Sequence, residues 1–176
     1  MFMNLLQSLN QTGARPLQRV RRNHALEHAT LQVIAQKRPD LGLAGYSDPN
    51  GFWVIGEIGL EELQRAADEA LSRLQAGEVN LAIHPNCGTN LVAQGALAGT
   101  AGMLAMLGTG SDARRKLDRW PLVVAFATLG LMAAQPLGPL MQQKLTTSTD
   151  VAGLRIKEIT RYQRRGVPLH RVLTES

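Results

Sequence analysis

Residues 85–111, PNCGTNLVAQGALAGTAGMLAMLGTGS, hold no formally charged side chain, and residues 120–143, WPLVVAFATLGLMAAQPLGPLMQQ, hold none either. A hydrocarbon core takes roughly 20 apolar residues of helix, so each run is long enough to span one. The short loop between them, residues 111–119, carries Arg114, Arg115, Lys116 and Arg119. The spacing predicts a helical hairpin over 89–143. Gly95 and Gly99 form a Gly-x-x-x-Gly step that Ala98 and Gly102 continue, a small-residue face on which two membrane helices approach closely. Trp120 heads the second run as an interfacial aromatic would, and Gln135-Pro136 interrupts that run. Two Ala/Gly-rich core helices of a soluble protein are the alternative.

The flanks read differently. Helical spacing of Leu17, Val20, Leu31, Ile34 and Ala35 predicts a helix over 16–37, stopped by Pro39. Residues 41–46 and 52–58 read as strands around the turn Ser47-Asp48-Pro49-Asn50-Gly51. A second amphipathic helix follows over 60–75, with Leu60, Leu63, Ala67, Ala70, Leu71 and Leu74 as its apolar face and Gly77 as its stop. Residues 79–83 read as a further strand. Beyond the hairpin, 154–163 and 167–174 read as two strands joined at Arg164-Arg165-Gly166 and added to the same sheet. The fold class expected is α+β: a small mixed domain of two helices and antiparallel strands, with an inserted transmembrane or re-entrant hairpin. Its parts are a metal-site domain over 1–88, the hairpin over 89–143 and a basic strand pair over 144–176.

The first helix carries the chemistry. His24-Ala25-Leu26-Glu27-His28 puts two imidazoles four apart on one helix face, where both reach a single metal ion, with Glu27 beside them to take a proton from a bound water. His-x-x-Glu-His is the inverzincin order. These side chains fall in the apolar stripe, where ionisable groups are costly unless paired or metal-bound. Buried histidines satisfied by hydrogen bonds, or a motif rolled into solvent, are the plainer readings. His84-Pro85-Asn86-Cys87-Gly88 has the layout of a zinc knuckle with His in the first ligand place. Zn²⁺ accepts imidazole and thiolate in one tetrahedral shell. An ordinary turn and helix cap at Thr89 or Asn90 is the plainer reading there. His24, His28, His84 and Cys87 together make one tetrahedral set, whereas His170, among basic neighbours, reads as a surface residue.

The pair of motifs resembles the YqhQ-like family of bacterial membrane proteins, described as predicted metal-dependent enzymes. It is more similar still to a group of short uncharacterised bacterial proteins sharing Asn-His-Ala-Leu-Glu-His and His-Pro-Asn-Cys-Gly-Thr-Asn, here Asn23–His28 and His84–Asn90. The second resemblance covers most of the chain, hairpin and basic tail included. It implies a metal site and a membrane location, and supplies no substrate.

Composition sets the remaining bounds. The net charge is +5, yet residues 1–90 carry eight Lys/Arg and nine Asp/Glu, so the surplus lies in the 111–119 loop and from Lys144 onward. Two Trp, two Tyr and three Phe leave no aromatic interleaving for stacking bases, which argues against nucleic acid as a partner. One Cys excludes an internal disulfide. Met1 to Leu9 lacks the basic start and long apolar run of a signal peptide. The expectation is a zinc-dependent hydrolase, peptidase- or esterase-like, anchored in the bacterial inner membrane with its polar part on the cytoplasmic side. Another divalent metal is left open, as is a homo-oligomer, and membrane lipid is the partner expected. In it His24, His28 and either His84 or Cys87 are ligands and Glu27 is the base. With all four ligands bound, the ion is structural and the protein a non-catalytic membrane adaptor.

Overall fold

The computed structural model describes the backbone of residues 2–175 and the side chains of 16–175. The side chains of the Met1–Leu9 stretch lie outside the described residues. The fold is mixed α+β, with six α-helices and one four-stranded antiparallel sheet among the described residues. Two compact units divide it, one of residues 1–84 with 143–176 and one of 85–142.

The first unit begins with α1, Phe2–Lys37, which runs through Pro16 rather than starting there. Proline inside a helix removes one intrahelical hydrogen bond. The inward face also differs from the periodic stripe: Leu17 and Ala35 are exposed, whereas residues 25–31 are buried without a gap. A helix enclosed on every side shows no polar face over its enclosed length, so periodicity locates only part of its core.

Strands β1 (Ala44–Asp48) and β2 (Gly51–Ile55) form a hairpin with Asp48 paired to Gly51. Both are displaced toward the turn relative to the expected 41–46 and 52–58. The reason is the tight two-residue connection, in which the Asn50 amide donates to Asp48 Oδ1 at 2.8 Å. Gly51 has φ +146°, and a Cβ there would strike the Val172 carbonyl, so this corner requires glycine.

Helix α2, Leu60–Gln75, buries Leu63, Ala66, Ala67, Ala70 and Leu74. Leu60 of the expected face is 43% exposed. Residues 79–82 are a 3₁₀ turn, not a strand. Their carbonyls are claimed by α1: Gln32 Nε2 donates to Leu81 O and Ile83 O at 2.8 Å each, which leaves no free edge for a sheet ladder. Strands β3 (Arg155–Arg164) and β4 (Val167–Glu175) complete the sheet in the order β1-β2-β4-β3. Helices α1 and α2 pack on one face of it, over Phe52, Val54 and Val172, all fully buried.

His170 belongs to that covered face, opposite Val54, and is fully buried. Its reading as a surface residue is therefore corrected: strand alternation decides its side of the sheet, whatever charges flank it in sequence. Among the described residues neither ring nitrogen has a hydrogen-bond partner.

The second unit contains α3 (Gly88–Ala105), α4 (Ala113–Asp118), α5 (Trp120–Ala134) and α6 (Leu137–Met141). The 111–119 loop is thus helical for six residues, capped by Asp112, whose side chain accepts the Arg114 and Arg115 amides. Helices α3 and α5 pack together. Their close approach is not at Gly95 and Gly99, where an added Cβ would meet nothing within 4 Å. It falls at Gly130, where a Cβ would lie 2.8 Å from Leu97 O, and at Gly102 against Val123. Gly95 and Gly99 lie three positions before Ala98 and Gly102 respectively, offset by about 60° around the helix. Among the described residues no single helix is long and apolar enough to cross a membrane. α5 has 15 residues, about 22 Å against a core of about 30 Å. Only α5 joined to 137–146, bent by 48° at the Gln135-Pro136 break, passes by length and composition together.

Burial, with the Arg161 cation next in weight, holds the His170 imidazole below its ordinary value of 6.5. The folded state therefore binds this proton less readily than the unfolded chain, so stability present above pH 6.5 is lost as pH falls toward the lower folded value. The expected outcome is a melting temperature that drops between pH 7.5 and 5, with a shallower drop in His170→Leu.

Candidate metal centre

Three side chains of the centre project from one stretch of α1, and the packing of that stretch determines how each is oriented. His28 is buried, and its Nδ1 lies 2.8 Å from the Ala82 carbonyl of the 3₁₀ turn. His24 is half-buried, with Nδ1 3.0 Å from the Thr146 carbonyl. A carbonyl only accepts, so each contact selects the tautomer with its proton on Nδ1. Nε2 of each ring then carries the lone pair, the state in which histidine binds metals. The two rings meet edge to face with centroids 4.2 Å apart.

His84 follows the 3₁₀ turn and places its ring 5.6 Å from that of His28, tilted by 44°. Cys87, three residues further on, is buried and stands at the N-cap position of α3, where no side-chain cap is made. Thr89 and Asn90 lie inside the helix, past its N-cap position. Ligand atoms of His24, His28 and Cys87 lie within 4.8 Å of one another, close enough to hold one metal ion. His84 stands outside this group. Two imidazole nitrogens and a sulfur make a donor set that zinc accepts, and three protein ligands leave one place open on a tetrahedral ion.

Glu27 is buried beside His28, and its carboxylate is turned to β1, where the Ser47 hydroxyl donates to Oε2 at 2.5 Å. Gly45, two residues earlier on the same face, makes room for the other oxygen, since a Cβ there would come within 2.7 Å of Oε1. Neither Ser47 nor Gly45 is marked by the sequence motifs. Two small residues at alternating positions of a strand were the only signal.

Arg21 is a further unmarked residue. Its Nη2 donates to Lys144 O at 3.0 Å and Thr147 O at 2.9 Å, and its Nε to Thr147 O at 3.2 Å. The guanidinium thereby grips carbonyls on both sides of Thr146, the one that orients His24. Asn23, between these residues, ties α1 to the sheet: its Nδ2 donates to Asp48 O at 2.8 Å and its Oδ1 accepts from Thr174 Oγ1 at 2.7 Å.

A His/Cys donor cluster in a mixed α+β fold is the class of centre that this geometry defines. The chain belongs to the family described as Domain of unknown function (DUF6391), whose model matches residues 19–159. It is 36% identical over 161 residues to an uncharacterized protein of Picosynechococcus sp. (strain PCC 7002), a match that covers 84% of this chain and 74% of that protein. No solved structure matches the chain. Membership of an uncharacterised family is thereby established. The likeness to the YqhQ-like proteins gains nothing from these matches.

Arg21→Gln is expected to weaken metal affinity by roughly 10- to 100-fold, the usual cost of loosening a ligand's orienting partner. Arg22→Gln, which removes only the ion pair to the exposed Asp150, is expected to leave it unchanged. Competition with a chelator of known affinity measures both.

Proposed function

We propose that the protein is a metal-dependent hydrolase whose ion is held by His24, His28 and Cys87. One observation carries the reading: these three donors lie within 4.8 Å of one another, and both imidazoles are tied through Nδ1 to backbone carbonyls. The thiolate favours zinc among divalent ions. Bound there, the ion would supply Lewis acidity for cleavage of an ester or amide. The chain's own residues do the rest. Glu27, buried and one position from His28, is the base that accepts the proton of the attacking water, and the Ser47 hydroxyl keeps its carboxylate oriented. His84, beside His28, is the candidate to steady developing charge on the substrate oxygen.

A second reading rests on the way Glu27 faces Ser47 and Gly45. A carboxylate used to fasten α1 to β1 fits a non-catalytic adaptor whose metal only secures the fold. Glu27→Gln separates the two. For the hydrolase, hydrolysis of p-nitrophenyl ester and casein probes is expected to fall by about 10²- to 10⁴-fold with metal content and melting temperature retained. For the adaptor, melting temperature falls and no metal-dependent hydrolysis exists to lose. Elemental analysis of the full chain in detergent is expected to give stoichiometric zinc, lost in His28→Ala and in Cys87→Ser.

We further propose that the unit of residues 85–142 lies in the bacterial inner membrane, with the polar part of the chain on the cytoplasmic side. Support comes from its uncharged helices and from large apolar side chains left exposed on them, including Leu91, Met103, Leu129 and Met132, each at least 60% exposed. Such a surface is costly in water. Lipid is the partner that removes the cost. The bend at Gln135-Pro136 fits a re-entrant course as well as a broken span. The protein is expected to stay with the membrane fraction through a high-salt wash and to be released by detergent.

A further inference from the structure

Opposite the face packed by α1 and α2, the sheet has a second face with no helix packed on it among the described residues, and the fold gathers there both tyrosines of the chain and one of its two tryptophans. Trp53 sits opposite Tyr46 on β1 and opposite Arg171 on β4, so all three share this face. The Tyr46 and Trp53 rings stack with centroids 6.4 Å apart and only 15° between planes, and Tyr162 of β3 lies 5.6 Å beyond Trp53. Tyr46 and Tyr162 are each about half exposed, at 54% and 50%. Arg171 holds its guanidinium 5.1 Å from the Trp53 ring centre and pairs with Asp48 at 2.8 Å. Burial pushes the Asp48 carboxyl up, but Arg171 and the Asn50 and Gly51 amides outweigh it, so Asp48 stays ionised and keeps Arg171 over the ring.

Arg164 and Arg165 make the β3–β4 end of this row cationic, whereas Arg155 and Lys157 lie at the far end of β3 and Arg161, opposite His170, belongs to the covered face and pairs with Glu57. Arg164 alternates onto the same face as Tyr162 and Thr160, and Arg165 follows in the turn. Glu158 lies toward the opposite end, where it accepts from Thr160 Oγ1 at 3.0 Å. A row of exposed rings beside a cationic edge is the arrangement that binds the stacked bases and phosphates of a single strand. An anionic lipid surface would match the charge, but it calls for apolar side chains that protrude and insert. Here Trp53 and Arg171 lie low in a flat platform, with Arg171 only 8% exposed.

We infer that this face is a single-stranded nucleic-acid site. Bases stack on Tyr46, Trp53 and Tyr162, and the phosphates run toward Arg164 and Arg165. The site is independent of the metal centre and of its chemistry. The scarcity of aromatic residues in the sequence weighs against such a partner only while those residues are taken as dispersed.

The test uses the full chain in detergent and a short fluorescently labelled oligouridylate, with anisotropy as the readout. Binding is expected to be salt-dependent, weakened roughly tenfold by Tyr46→Ala or Tyr162→Ala. Arg164→Gln and Arg165→Gln are each expected to lower the salt slope by about 0.7. Trp53 fluorescence, isolated in a Trp120→Phe background, is expected to be quenched on binding. Failure to bind the oligonucleotide overturns the inference. So does binding that the two tyrosine substitutions leave unchanged, which would mark charge attraction alone. Capture by phosphatidylserine vesicles through Tyr46 and Tyr162, without oligonucleotide binding, overturns it in favour of a lipid-docking face.

Discussion

Enclosure of α1 between Asn23 and Ile34 is the constraint on which the rest of the first unit depends. A buried polar group is tolerated only when it is hydrogen-bonded, and this stretch buries Asn23, Glu27, His28 and Thr30. Their partners lie far apart in sequence: Asp48 and Thr174 for Asn23, Ser47 for Glu27, and Ala82 for His28. Thr30 instead bonds back to Leu26 O within the helix. Satisfying one helix therefore pins the hairpin, the 3₁₀ turn and the last strand against it. Glu27 and His28 thus serve both the candidate centre and the packing of the fold.

That double use shapes the chemistry available. His24 and His28 each have one nitrogen occupied by a backbone carbonyl, which sets the tautomer and the ring orientation. Carbonyl partners leave the imidazoles less electron-rich than carboxylate partners would, so the thiolate of Cys87 is the main source of negative charge for the proposed ion. Glu27 is oriented by the hydroxyl of Ser47, a neutral donor. The Arg21 grip on residues 144–147 joins the return of the chain from its uncharged segment to the helix that bears the ligands.

The second unit follows a different logic. Its helices α3 and α5 approach through Gly130 and Gly102, so backbone contact replaces side-chain interlocking. Large apolar side chains then point outward. Such an arrangement gains little from water exclusion between the helices and much from an apolar surrounding, which is the physical basis for the proposal that it lies in lipid.

Local sequence alone determined the α+β class, the α1 and α2 helices, the 48–51 turn and the donor types of the candidate centre, because each rests on spacing within a few residues. His24 and His28 share a face for that reason, and Gln135-Pro136 breaks its helix for that reason. Tertiary structure decided what depends on distant partners. Residues 79–82 became a 3₁₀ turn because Gln32 and His28 take their carbonyls. His170 turned inward because strand register, not neighbouring charge, chose its side. Arg21, Gly45 and Ser47 acquired their roles only through groups brought to them by folding. The gathering of Tyr46, Trp53 and Tyr162 on one sheet face is of the same kind, since pairing across three strands leaves no periodic trace in the chain.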